Sequence, residues 1–294
     1  MSEEPQISGD YEDRLVLAAY SVLIELGQVL GEYRDKIVIV GGSVPWLVYQ
    51  DADPAYVGTL DVDLGMDPVA LSEGEYARLV ETLEAEGYER GGEDLKCFQL
   101  RRAVGIDDHG PIEVLVDLLA SKEMKFKGSR PPRIEGLRVQ QIPGCKIALT
   151  ENVLRRFQGR MPDGRNNSTR LRIATIPALL VMKGYALDQR SKRKDAYDIY
   201  YSMRHHPAGV VALAEDCRHL LEDDIAVEAF RLIRSKFRKV DDYGPETVVG
   251  FVEGRREVLT GFTEAEQVQV DAFRQVDAFL NALGFPVGKE DFDS

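Results

Sequence analysis

The segment Thr59-Leu60-Asp61-Val62-Asp63-Leu64 places the strictest demand on the fold. Side chains on a strand alternate faces, so Leu60, Val62 and Leu64 turn one way and Asp61 and Asp63 the other. The chain therefore needs a sheet with one face in a core and two carboxylates side by side on the other. At about 5.5 Å and an effective dielectric of about 20, their repulsion costs roughly 3 kcal/mol, and Asp is a poor strand residue. An edge strand with its outer face in water carries the same pattern, so these six residues alone leave that reading open. A bound cation is the other way to relieve the repulsion, and hard oxygen ligands favour Mg²⁺ or Mn²⁺.

Upstream, Lys36–Val40 is a short β-branched run that ends at Gly41-Gly42, which predicts a strand and a tight turn. Ser43 then reads as the N-cap of a helix with Pro45 near its start. Glycines at a strand-to-helix turn let backbone approach a phosphate, and a helix N-terminus offers free N–H groups. Gly41, Gly42 and Ser43 are thus candidate phosphate ligands beside a candidate metal site at Asp61 and Asp63. A two-metal phosphoryl-transfer site calls for a third carboxylate, and Ile112-Glu-Val-Leu-Val-Asp117-Leu-Leu supplies one on an otherwise apolar strand. Asp117 and Glu113 share a face; Asp117 is preferred because it sits mid-run, where an unpaired charge is expensive.

Around these motifs, 11–33 predicts a helix with apolar residues at helical spacing, 71–87 a second, and 95–102 and 137–142 further strands, with a turn over 105–111. After about Thr150 the pattern turns helical: 177–187, 192–204, 210–221, 224–237, 245–259 and 264–283 fit a 3.6-residue period. The expected fold class is α/β (α+β): a nucleotide-site domain over 1–150 with a mixed sheet, then a helical domain over 151–294. The boundary is expected near 145–170, at or before the turn-rich stretch 159–168.

Composition narrows the class. Hydrophobic residues at 44% and charged residues at 30% are the balance of a globular protein. Cys97, Cys145 and Cys217 are far apart and lack zinc spacing, which fits a reducing cytosol and argues against a disulfide framework. Met1-Ser-Glu-Glu-Pro5 has no apolar leader, and no apolar run approaches the ~20 residues that span a bilayer, so a cytoplasmic protein without membrane association is expected. Net charge is −13, yet 155–194 carries eleven Lys and Arg against Asp163 and Asp188, which makes it +9 and the rest −22. Solvated helix faces or a local groove for polyphosphate or RNA both account for that stretch. The serines have no nucleophile-elbow context, His109 lies in the expected turn, and His205-His206-Pro207 reads as a helix C-terminal cap.

Gly-Gly-Ser, then Asp-hydrophobic-Asp, then a later strand Asp, resembles the DNA polymerase β-type nucleotidyltransferase superfamily. Ile173–Leu187, a proline-started helix carrying Lys183, followed by Arg190-Ser-Lys-Arg-Lys194-Asp195-Ala-Tyr-Asp198, is similar to the AbiEii/AbiGii toxin-type nucleotidyltransferases. The resemblance covers roughly 36–205. It implies Mg²⁺-dependent transfer of a nucleoside monophosphate from a nucleoside triphosphate, with Asp61, Asp63 and Asp117 as metal ligands. It further implies that Lys183 contacts the triphosphate and that Asp195 reaches the site as a base for the acceptor hydroxyl. Transfer RNA, at its 3′ end, is the acceptor implied, and a cognate antitoxin protein a partner, as in a toxin–antitoxin or phage-defence system. From the residues alone, Lys183 on an apolar helix is equally read as snorkelling, and Asp195 and Asp198 as first-turn dipole partners. Nucleotidylation of an aminoglycoside-like small molecule or of a protein, and a catalytically inactive nucleotide-binding module, are the alternatives.

Overall fold

The computed structural model describes residues 5–67, 69–71, 73–106, 110–124, 133–134 and 137–288. The expected turn residue His109 and the two acidic ends, 1–4 and 289–294, lie outside them. The chain forms two compact units: one takes Glu12–Val44 and Gly58–Ala178, the other 5–11, Pro45–Val57 and 179–288.

The first unit is built on a mixed sheet. In chain order it contains α1 (Asp13–Val29), β1 (Ile37–Val40), the start of α2 (Ser43–Val48), β2 (Asp61–Met66), α3 (Glu73–Ala85), β3 (Tyr88–Arg90), β4 (Gln99–Val104) and β5 (Ile112–Ser121). Short β6 (Arg133–Ile134), β7 (Leu137–Arg138) and β8 (Gln140–Ile142) follow, then α4 (Cys145–Thr150), β9 (Asn152–Arg160) and β10 (Asn166–Ala174). The strand order is β3-β4-β5-β2-β1-β10-β9, and β8 pairs with the far end of β5. β1 runs antiparallel to β2 and parallel to β10, while β2 runs parallel to β5.

Register explains the alternation in β2. Val62 and Leu64 share a face with Ile39 of β1, Val116 and Leu118 of β5, and Ile173 of β10, all at most 1% exposed. Helix α1 covers this face. Its Gly27 comes so close to β10 that a Cβ there would stand 2.3 Å from Thr169 Oγ1, which is why the helix carries no side chain at that point. Beside it, buried Glu25 pairs with Arg102 of β4 at 2.9 Å.

The sheet extends further along the chain than the sequence reading expects. Residues 151–174 form the β9–β10 hairpin, not the opening of a helical domain, so the units divide at Ala178/Leu179 rather than near 150. Strand β9 lies at the sheet edge with most side chains exposed, Val153 and Leu154 included. An edge strand wetted on both faces has no alternation to betray it.

The second unit is helical: the rest of α2, then α5 (Ile176–Gln189) from Leu179 onward, α6 (Arg193–Arg204), α7 (Val210–Cys217), α8 (Asp224–Lys236), α9 (Tyr243–Val252), α10 (Arg256–Thr260) and α11 (Ala265–Leu283). Pro45–Val57 is sewn into it by hydrogen bonds: Tyr49 Oη donates to Ser202 O at 3.1 Å, and Tyr201 Oη to Pro54 O at 3.0 Å. All three cysteines are free thiols. Among the described residues no helix is long and apolar enough to cross a membrane.

Candidate active site

The face of the sheet opposite α1 carries the carboxylates. Asp61 and Asp63 are half-buried on β2, and Asp117 is half-buried on β5. The parallel register sets Asp63 directly beside Asp117, with Asp61 beside Leu115. Each carboxylate engages a neighbour. Thr59 Oγ1 donates to Asp61 Oδ1 at 2.8 Å, and Gln99 Nε2 donates to Asp117 Oδ1 at 2.9 Å. Gln99 stands opposite Asp117 in the antiparallel β4–β5 pair. Glu113, on the same face of β5, is an exposed residue paired with Arg101 at 3.5 Å.

Asp63 meets the glycine turn. Gly41 holds φ +66° at the end of β1, and a Cβ built there would lie 1.8 Å from Asp63 Oδ2. Val40 pairs with Asp63 in the β1–β2 ladder, so the Gly41-Gly42-Ser43 turn and the dicarboxylate strand are joined at this point. Val44 N–H donates to Gly41 O at 3.1 Å, closing the turn into α2, and Ser43 is buried. Among the described residues no three His, Cys, Asp or Glu side chains are grouped to hold a metal ion. The register nevertheless puts the three aspartates on one face, and the Thr59 and Gln99 hydrogen bonds engage one oxygen each of Asp61 and Asp117.

The other candidates, Lys183 and Asp195, are brought together in the helical unit. Lys183, 6% exposed on α5, places Nζ 2.5 Å from Asp195 Oδ1 and 2.7 Å from Asp198 Oδ2. Asp195 also accepts from Arg190 through Nε at 2.7 Å and Nη2 at 2.9 Å. Asp198 accepts from Tyr56 Oη at 2.6 Å and pairs with Lys194 at 3.0 Å, and Lys194 Nζ donates to Tyr56 Oη. Both aspartates are fully buried. Burial alone would lower the pKa of Lys183, yet Asp195 and Asp198 outweigh it and hold the lysine above its ordinary value. Burial likewise works to raise Asp195, but Lys183 and Arg190 hold it below the usual carboxylate range, and Lys183 and Lys194 do the same for Asp198. With three bases against two acids, Lys194 has its pKa lowered, chiefly by burial, only partly offset by Asp198. The lysine on an apolar helix does not snorkel; its anions come from α6. Asp195 and Asp198 accordingly do more than favour a helix dipole.

Gln99 and Tyr56 are partners that sequence reasoning did not single out; Thr59, Arg190 and Lys194 stood in its motifs without these roles, and Lys194 is buried rather than part of a basic surface. Gln99 had a signal, a polar residue inside the expected strand 95–102; Tyr56 had none. His205 is the helix C-terminal cap that the sequence predicts. Its N–H donates to Tyr201 O at 3.0 Å as the C-cap of α6, but its ring stacks on Tyr201 at 4.2 Å, and burial lowers its pKa to about 4. The imidazole is therefore neutral near pH 7 and offers no charge to the helix terminus. The chain matches no protein-family model, and no curated protein matches it.

Proposed function

We propose that the chain is a divalent-cation-dependent nucleotidyltransferase that moves a nucleoside monophosphate from a nucleoside triphosphate to an RNA acceptor. One observation carries the reading: the Gly41 turn, Asp63 and Asp117 meet at one place on a sheet face, with Asp61 on the same face. Neither element requires the other for folding, and like charges set side by side on a ladder destabilise it. The donor set suits Mg²⁺ or Mn²⁺, three hard carboxylate oxygens without nitrogen or sulfur. Asp61, Asp63 and Asp117 would hold the ion, which when bound offsets triphosphate charge and favours attack by the acceptor oxygen.

Gly41 leaves bare backbone where a side chain would displace the Asp63 carboxylate from the turn. Asp63 and Asp117 would hold the cation whose charge orients the donor. The acceptor hydroxyl oxygen forms its bond to the α-phosphorus as the bond to the β-phosphate bridge breaks; pyrophosphate leaves, and the hydroxyl proton passes to solvent. Lys183 is assigned to the buried network instead of the triphosphate, because its charge is already matched by two carboxylates.

Incubation with Mg²⁺, each of the four α-labelled nucleoside triphosphates and total cellular RNA, beside an Asp61→Ala/Asp63→Ala control, tests the proposal. Label enters RNA with the intact protein only; equal labelling by the folded double variant would overturn the metal assignment. The net charge of −13 favours a cationic small-molecule acceptor as a second reading, and turnover insensitive to salt, with no label in RNA, would select it.

A further inference from the structure

Six arginines and one acidic residue, Asp163, lie between Asn152 and Ala174, a local +5 in a chain of −13. The hairpin sorts them by face. The β1–β10 register puts Leu171 and Ile173 on the α1 side, with Thr169, so Arg170 and Arg172 lie on the face that carries Asp61, Asp63 and Asp117. The β9–β10 register then sets Arg156 directly opposite Arg170, Leu154 opposite Arg172, and Arg160 opposite Asn166 on that same face.

Of these arginines, Arg172 is neutralised by Asp35 at 2.7 Å and Arg165 by Asp163 at 2.5 Å. Among the described residues, Arg156 and Arg160 meet neutral oxygens, Ser168 Oγ at 2.8 Å and Gly164 O at 3.0 Å, and Arg170 meets no carboxylate. All three are exposed. Directly opposed like charges weaken a ladder, so the Arg156–Arg170 pair is a cost to the fold. Charged side chains on β9 would serve to guard a sheet edge against pairing with other chains. That explanation fails for Arg170, because β10 is paired on both sides.

We infer that the Arg156–Arg170–Arg160 face of the β9–β10 hairpin is the docking surface for the phosphodiester backbone of the RNA acceptor. The inference rests on the transferase reading for its partner. Guanidinium groups match phosphate oxygens in bidentate geometry, and Gln158, Asn166 and Ser168 add neutral polar groups on the same face. From strand spacing and rise, Arg170 lies roughly 16 Å from Asp63, two strands across and four residues along the sheet. A strand held on the arginines thus needs only a short overhang to bring its end to the carboxylates.

The test is binding of fluorescently labelled bulk transfer RNA, without nucleotide, across a salt series, by wild type and by Arg156→Gln/Arg170→Gln. Removing two phosphate contacts should weaken affinity about tenfold or more at low salt and reduce the slope of log K against log salt by about 1.5–2. The variant's unfolding midpoint should equal or exceed that of wild type, because a repulsion is gone. Unchanged affinity and slope in the folded variant would overturn the inference while leaving nucleotide transfer intact. Wild type that binds no RNA at low salt would overturn it too, and labelling of the alternative acceptors then decides the fate of the transferase reading. Loss of labelling in the Asp61→Ala/Asp63→Ala protein with RNA affinity retained separates the two sites in the expected way.

Discussion

Replacing Gly41 by alanine tests whether the turn and the carboxylate are one construction. Two costs add. An L-residue at φ +66° is disfavoured by about 1–2 kcal/mol. The new methyl would also sit 1.8 Å from Asp63 Oδ2 and 2.8 Å from its Cγ, so Asp63 must leave its rotamer or the strand must move, at about 0.5–1.5 kcal/mol. A total near 2–3 kcal/mol is expected from urea unfolding followed by circular dichroism. Gly91 of the same unit supplies the control: it holds φ +76° with nothing within 4 Å of a built Cβ, so Gly91→Ala carries only the first cost. In an Asp63→Ala background the excess of Gly41→Ala over Gly91→Ala should shrink by about 1 kcal/mol, because the carboxylate it collides with is absent. If Gly41→Ala costs no more than Gly91→Ala, and Asp63→Ala changes neither, the turn and the strand are independent and the case for a joint site fails.

Lys183→Met leaves Asp195 and Asp198 buried without their shared cation and should cost about 3–5 kcal/mol; a loss under about 1 kcal/mol in chemical unfolding would refute the network. Asp195 and Asp198 are held below the ordinary carboxylate range, so their contribution is complete above the unfolded-chain value of about 3.9 and is lost as pH falls through the folded values. An Asp195→Asn variant should therefore show a flatter decline of stability below about pH 4 than wild type. His205, lowered to about 4, is protonated first in the unfolded chain, so its stabilisation is present above about pH 6.5 and lost as pH falls toward 4. His205→Phe keeps the stack on Tyr201 and should remove that slope; an unchanged pH profile would count against a neutral ring. In chelator, Asp63→Asn should raise stability by up to about 1 kcal/mol by ending the repulsion with adjacent Asp117, while Mg²⁺ should raise the unfolding midpoint of wild type alone.

Much of the fold is legible locally. The period-2 run at Leu60–Leu64 carried the face assignment of Asp61 and Asp63, and the spacing over 11–33 located the helix that covers the other face. Strand β10 carries a period-2 signal in Thr169, Leu171 and Ile173 alternating with Arg170 and Arg172, which the sequence reading passed over in favour of a helical domain, and β9 carries none, since most of its side chains are exposed. What local reading could not reach is pairing. That Asp63 stands beside Asp117, and that Lys183 lies between Asp195 and Asp198, are decided by register and helix packing across many residues. The membership of Pro45–Val57 in the helical unit is likewise decided by distant partners such as Asp198 and Ser202.

That last segment has a consequence for how the chain is made. Tyr56 and Asp198 are 142 residues apart in sequence, so at about 5–20 residues per second the tyrosine leaves the ribosome roughly 7–28 s before its acceptor is synthesised. Residues 45–57 must wait through that interval, held between two strands of a sheet that can pair without them. A fragment ending at Ala178 would keep the whole sheet and still strand this segment, and a fragment beginning at Leu179 would bury Asp198 without its tyrosine. Neither half is a natural product of cutting the chain, and a protease acting early on the nascent protein would meet its opening at 45–57.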